Sequence, residues 1–88
     1  MTEKTLTIKN RMGLHARPAA MFVQEAGKFK SQVFVVKDGL QVNGKSVMGL
    51  MLLAAESGSK LVVKADGPDE AKAIEALEKL FERRFDEQ

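Results

Sequence analysis

Eighty-eight residues make one small domain, residues 1–88, and leave no material for a second core. A composition 44% hydrophobic and 30% charged is that of a folded globular protein, and the absence of cysteine excludes disulfides, iron–sulfur clusters and thiolate zinc sites. A net charge of +2, with no Trp or Tyr to stack on bases, argues against a nucleic-acid partner.

The N-terminal Met-Thr-Glu-Lys lacks the apolar stretch of a signal peptide. Thr5-Leu6-Thr7-Ile8-Lys9 then alternates polar and apolar residues and predicts a half-buried strand, with a turn over Asn10 to Gly13. From His15 to Ala26 the apolar positions Ala16, Ala19, Ala20, Val23 and Ala26 recur at helical spacing. Pro18 falls in the first turn, where a missing N–H is not needed, and Gly27 is placed to act as a C′ residue. Gln32 to Lys37 is a second strand, Asp38-Gly39 a tight hairpin turn, and Leu40 to Asn43 the return strand. Ser46 is placed to cap a short helix over Val47 to Leu53. Lys60 to Ala65 is the fourth strand, and Pro68 to Phe85 a helix with Ala71, Ile74, Leu77, Phe81 and Phe85 on one face. The longest apolar run, Leu50 to Ala55, is far short of a membrane span, so a cytoplasmic protein is expected. The order βαββαβα predicts an α+β open-faced sandwich, an antiparallel sheet with its helices packed on one face.

Charge is unevenly spread. Residues 1–46 carry eight Lys or Arg against three acids, and residues 47–88 six against nine, which favours an anion site in the first half. His15, the only histidine, stands immediately before the first helix. The backbone N–H groups of Ala16 and Arg17 have no intrahelical acceptor, and Pro18 offers no N–H. A phosphoryl group on the imidazole would meet those two donors and the positive end of the helix dipole, and Arg17 could add a charge-assisted contact. The same surroundings favour a neutral, nucleophilic ring. A histidine there can equally serve as a cap or fill a turn. One His without Cys gives no metal site, and no cofactor is expected.

Two further features compete with simpler readings. Gly39-Leu40-Gln41-Val42-Asn43-Gly44-Lys45-Ser46 matches the P-loop pattern, but its inner residues alternate as a strand after an Asp-Gly turn, and the chain is too short for the parallel sheet a P-loop needs. In the short helix, Leu50 and Leu53 share a core-facing side; Val47, Met48 and Met51 lie toward the other, either as an adaptable partner surface or as further core. A phosphate on Ser46 would add about −1.5 to −2 charges at that helix's start and could repel an acidic partner.

Gly13-Leu14-His15-Ala16-Arg17-Pro18-Ala19-Ala20 resembles the active-site segment of the HPr family, the histidine phosphocarriers of the bacterial sugar phosphotransferase system. Lys45-Ser46-Val47-Met48-Gly49-Leu50-Met51 resembles that family's regulatory serine segment, and the two stand in register along the whole chain. The resemblance implies a sheet of order 1-4-2-3 under three helices. It implies that Enzyme I passes phosphate from phosphoenolpyruvate to Nδ1 of His15, that Arg17 and the Ala16 N–H stabilise it, and that Enzyme IIA domains receive it. It further implies that an HPr kinase/phosphorylase acts on Ser46, and that Val47, Met48, Met51, Ala20 and Gln24 contact partners. A carrier of this kind is a substrate of phosphotransferases rather than an enzyme, and nothing in the sequence demands more than a monomer. The alternative is a regulatory binding module, of nitrogen-branch or carbon-control type, acting mainly by docking of its phosphorylated form. Two positions depart from the pattern: Met12 stands where the best-known members have a short polar residue, and Ala54 where they have glycine.

Overall fold

The computed structural model describes residues 1–87. Strands β1 (Thr2–Thr7), β2 (Gln32–Lys37), β3 (Leu40–Asn43) and β4 (Lys60–Asp66) form one antiparallel sheet in the order β1-β4-β2-β3. Helices α1 (Ala16–Ala26), α2 (Val47–Leu52) and α3 (Glu70–Glu82) complete the βαββαβα order, and a short 3-10 turn spans Arg84–Asp86. The α+β open-faced sandwich with order 1-4-2-3 is therefore the architecture observed.

Alternation decides which side of each strand is covered. Leu6, Val33, Val35, Val42, Leu61, Val63 and Ala65 are buried under the helices, whereas Phe34, Val36 and Val62 are half-buried on the open face. Across the core the Phe22 and Phe81 rings meet edge to face at 6.1 Å, and Phe81 packs against Phe85 at 5.0 Å. The Asp38-Gly39 turn has φ of 50° and 83°, the left-handed pair that matches the right-handed twist of a two-residue hairpin.

Several boundaries and faces differ from the sequence expectations. β1 begins and ends earlier than Thr5–Lys9, because pairing with β4 sets its register from Thr2 opposite Ala65 to Thr7 opposite Lys60. In α1 the covered face is Pro18, Ala19, Phe22 and Ala26; Ala16 is exposed, Ala20 and Val23 are half-buried, and Gly27 closes the helix in a right-handed conformation. In α3 the covered face is Ala73, Ile74, Leu77, Leu80 and Phe81, and Ala71 faces solvent. That helix starts at Glu70 because the backbone of its N-cap residue Asp69 is non-helical at φ −119° and ψ 29°; the Asp69 carboxylate does not cap it but accepts from the Lys30 and Ser31 N–H groups at 2.9 Å each and from the buried Ser31 hydroxyl at 2.5 Å. The helix also ends before Phe85. Arg84, Phe85 and Asp86 all have left-handed φ of 53–58°, so the chain turns back, buries Phe85 completely and leads Glu87 toward the loop that precedes α1.

Candidate functional site

The site is assembled around the Asn10–Leu14 loop. Asn10 is fully buried, and its Nδ2 donates to the Gly13 carbonyl at 2.7 Å, closing the loop on itself. Gly13 is left-handed at φ +75°, and a Cβ there would lie 2.5 Å from the Ala55 carbonyl oxygen. That approach lets the Leu14 N–H donate to Ala55 at 2.8 Å while the Leu14 side chain enters the core. The loop before α1 is thereby tied to the segment after α2.

His15 follows as the N-cap residue of α1, extended at φ −84° and ψ −168°; its carbonyl accepts the first helical bond from Ala19 at 2.9 Å. No side chain caps this helix, and its first turn carries no acid. The opening therefore keeps the free backbone donors and the positive dipole end that the sequence indicated. Arg17 is exposed within that turn and, among the described residues, pairs with no carboxylate. The imidazole is 40% exposed.

One partner of the ring was not foreseen. The Glu87 carboxylate, mostly buried, lies 3.3 and 3.4 Å from Nε2 of His15 through its two oxygens, and it also accepts from Asn10 Nδ2 at 3.1 Å. His15 thus sits between the positive helix opening and an acid from the far end of the chain. Asn10 Oδ1 is buried without a hydrogen-bond partner in the protein, so Asn10 ties the loop together through its amide N–H donors alone.

Beside His15 lies a shallow depression of about 250 Å³, lined by Met12, Leu14, Met51, Ala54, Ala55 and Glu56 among others. Its apolar rim continues over α2, where Met48 is 79% and Leu52 72% exposed and Met51 is also exposed. Leu50 and Leu53 enter the core as expected, whereas Val47 is half-buried and packs against that core. Leu52 joins the exposed face although the sequence reading passed over it. Gln24 is exposed on α1, one turn beyond the half-buried Ala20. Ser46 caps α2, its hydroxyl accepting from the Gly49 N–H at 3.0 Å.

The P-loop-like octet forms no phosphate cradle. Leu40–Asn43 is strand β3, the Gly44 N–H donates to the Val33 carbonyl at 2.7 Å, and the Lys45 ammonium is committed to the Phe29 carbonyl at 2.8 Å. Among the described residues no helix is long and apolar enough to cross a membrane.

The family model for the phosphorylation site of the phosphotransferase-system HPr component matches residues 2–83. The chain belongs to the HPr family. A phosphocarrier protein HPr from Treponema pallidum is 48% identical over 88 residues, the full length of both chains. An HPr-like protein Crh from Halalkalibacterium halodurans is 52% identical, covering 94% of this chain and 99% of its own. The crystal structure of HPr-C-His from Thermoanaerobacter tengcongensis superposes with a TM-score of 0.96 at 52% identity, covering 100% of this chain and 99% of that one. Membership in the HPr family makes this a phosphocarrier-type fold, and the matched residues 2–83 span the whole sheet as well as the opening of α1.

Proposed function

We propose that this protein is a monomeric, cytoplasmic phosphoryl carrier of one domain, in which Nδ1 of His15 accepts a phosphoryl group from phospho-Enzyme I and hands it to an Enzyme IIA domain. The observation that carries the reading is an accessible imidazole at an uncapped helix N-terminus, with Arg17 in the first turn and no acid competing for the helix donors. In the accepting step the Nδ1 lone pair attacks phosphorus, and the donor's bond to phosphorus breaks with its electron pair returning to the donor. The Ala16 and Arg17 N–H groups and the Arg17 guanidinium then face the phosphoryl oxygens. The donating step runs in reverse toward a new acceptor. The chain holds and orients while its partners supply the in-line geometry, so it acts as a substrate of phosphotransferases and not as an enzyme.

The exposed Met12 and Met51 beside the ring and the exposed Met48 and Leu52 of α2, with Gln24 and the half-buried Ala20 and Val47, form the surface on which partners dock. Ser46 stands at the edge of that surface. Phosphorylation there by an HPr kinase/phosphorylase would place about −1.5 to −2 charges next to it and repel an acidic partner. The likeness to an HPr-like protein Crh favours a second reading, a regulatory module working through phospho-Ser46.

The test is intact-mass measurement after incubation with Enzyme I, magnesium and phosphoenolpyruvate, with His15→Ala alongside. One acid-labile phosphoryl group, absent from the variant, is expected. No transfer from a demonstrably active cognate Enzyme I would overturn the carrier reading and leave the Ser46-centred module.

A further inference from the structure

The composition restricts what a peroxide can do to this chain. It has no cysteine, tryptophan or tyrosine and five methionines, so its readily oxidised side chains are thioethers. Met12 is 71% and Met51 45% exposed, and both line the depression of about 250 Å³ beside His15. Met48, 79% exposed, stands three residues before Met51 on α2 and so shares its face. Met21 is half-buried against the core. Met1 is exposed but precedes β1, at the opposite end of that strand from the His15 loop. Three of the five methionines therefore meet solvent on the side of the molecule that carries His15.

We propose that Met12, Met48 and Met51 form a reversible oxidation site that closes the docking surface to phosphotransferase partners, a regulation that rests on the carrier reading above. Hydrogen peroxide is the co-reactant. A sulfur lone pair bonds to one peroxide oxygen, the O–O bond breaks, and the second oxygen takes the proton of the first and leaves as water. Sulfur gives up two electrons, the peroxide gains them, and a sulfoxide remains. A partner can close directly over an apolar thioether. The sulfoxide oxygen is a strong hydrogen-bond acceptor, and docking must strip it of water without supplying a donor. The imidazole is unchanged, so docking weakens while the phosphoryl chemistry does not. A methionine sulfoxide reductase reverses the step: two thiols become a disulfide, and the oxygen leaves as water.

The test exposes the full chain to hydrogen peroxide, destroys the excess with catalase, and locates the added oxygen by peptide mass mapping. Phosphoryl acceptance from phospho-Enzyme I is measured over a range of concentrations before and after oxidation. Wild type is run beside a variant carrying Met12→Leu, Met48→Leu and Met51→Leu together. Each protein is compared with itself, so whatever leucine does to docking cancels, and Met1 remains in both as an exposed thioether away from His15. Wild type should take oxygen at Met12, Met48 and Met51 before Met21. Its KM as a substrate of Enzyme I should then rise about tenfold, the scale of one buried polar group left without a partner, with kcat held. Reductase treatment should restore the KM, and the variant should keep its own through the same oxidation. An unchanged KM in wild type with sulfoxide at all three positions overturns the proposal. So does a variant that loses as much as wild type, or oxygen that enters Met21 first. Those failures leave the carrier reading standing; if untreated wild type takes no phosphate from an active Enzyme I, that reading falls and this regulation falls with it.

Discussion

Gly13→Ala is the substitution that most directly probes how the His15 loop is held. Its φ of +75° alone makes a side chain unfavourable, by about 1–2 kcal/mol for an L-residue. Gly39, at φ +83° with nothing within 4 Å of an added Cβ, measures that backbone cost in isolation. At Gly13 the new Cβ would also stand 2.5 Å from the Ala55 oxygen and 3.0 Å from Glu56 Cα, both backbone atoms that cannot rotate away. Relieving the overlap separates the two segments and weakens the Leu14–Ala55 hydrogen bond, adding about 1–3 kcal/mol of packing and hydrogen-bond loss. Gly13→Ala should therefore lose about 2–5 kcal/mol, against about 1–2 for Gly39→Ala. Urea unfolding followed by far-ultraviolet circular dichroism is the assay, because a chain with no Trp or Tyr gives little fluorescence signal. Amide shifts over residues 10–15 and 54–56 should move in Gly13→Ala and stay in place in Gly39→Ala. Equal losses at the two glycines would refute the claim that close backbone approach, and not φ alone, requires glycine before His15.

Two further outcomes are expected. Hydrogen bonds from the Ser31 hydroxyl, foremost, and from the Lys30, Ser31 and Asp69 N–H groups hold the Asp69 carboxyl down to about 2 from an ordinary 3.8, so its contribution is complete above about pH 4 and fades as pH falls toward 2. Glu70, held low by the Thr2 hydroxyl, the Gly67 N–H and the terminal amine, acts in the same direction; urea midpoints between pH 5 and 2 should decline, and Asp69→Asn should flatten that decline, an unchanged slope counting against the assignment. Ala54 stands at φ +48°, so Ala54→Gly should raise stability by about 0.5–1 kcal/mol, the relieved backbone cost outweighing the freer unfolded chain; a lower urea midpoint would show that no strain resides there.

What was legible in the sequence was written in local chemistry. Asp38-Gly39 names its own turn, Ser46 its own cap, and the run ahead of Ala26 its own helix, since each depends on neighbours within four residues. The His15 opening was legible for the same reason: an N-cap, free N–H groups and Pro18 lie side by side in the chain. Faces were less secure. Ala71 and Ala73 are chemically identical and each fits a helical repeat with Ile74 and Leu77, so only the sheet beneath α3 decides which alanine is covered. The alanine-rich pattern of α1 likewise hid Phe22, whose ring is fully buried against Phe81. Glu87 could not be read at all. It is 72 residues from His15, and it arrives through a left-handed turn that contains no glycine or asparagine to announce it.

The same geometry bears on why a carrier would be built this way. A phosphoryl group that must be surrendered cannot be held in a closed cage, since every contact made in the resting phospho-form adds to the barrier for leaving. On the carrier reading proposed above, a phosphoryl group on the ring would meet the N–H groups of Ala16 and Arg17 and the Arg17 guanidinium, all on exposed residues. Rigidity is placed on the other side instead. Asn10 and Gly13 fix the loop, Ala55 fixes Leu14, and Glu87 faces Nε2, so the ring is oriented from behind by groups that touch no phosphate. On that reading orientation is supplied before a partner arrives, and affinity for the phosphoryl group would stay modest. Tightening the front of the site should consequently slow release more than it speeds acceptance, whereas loosening the back should slow both steps.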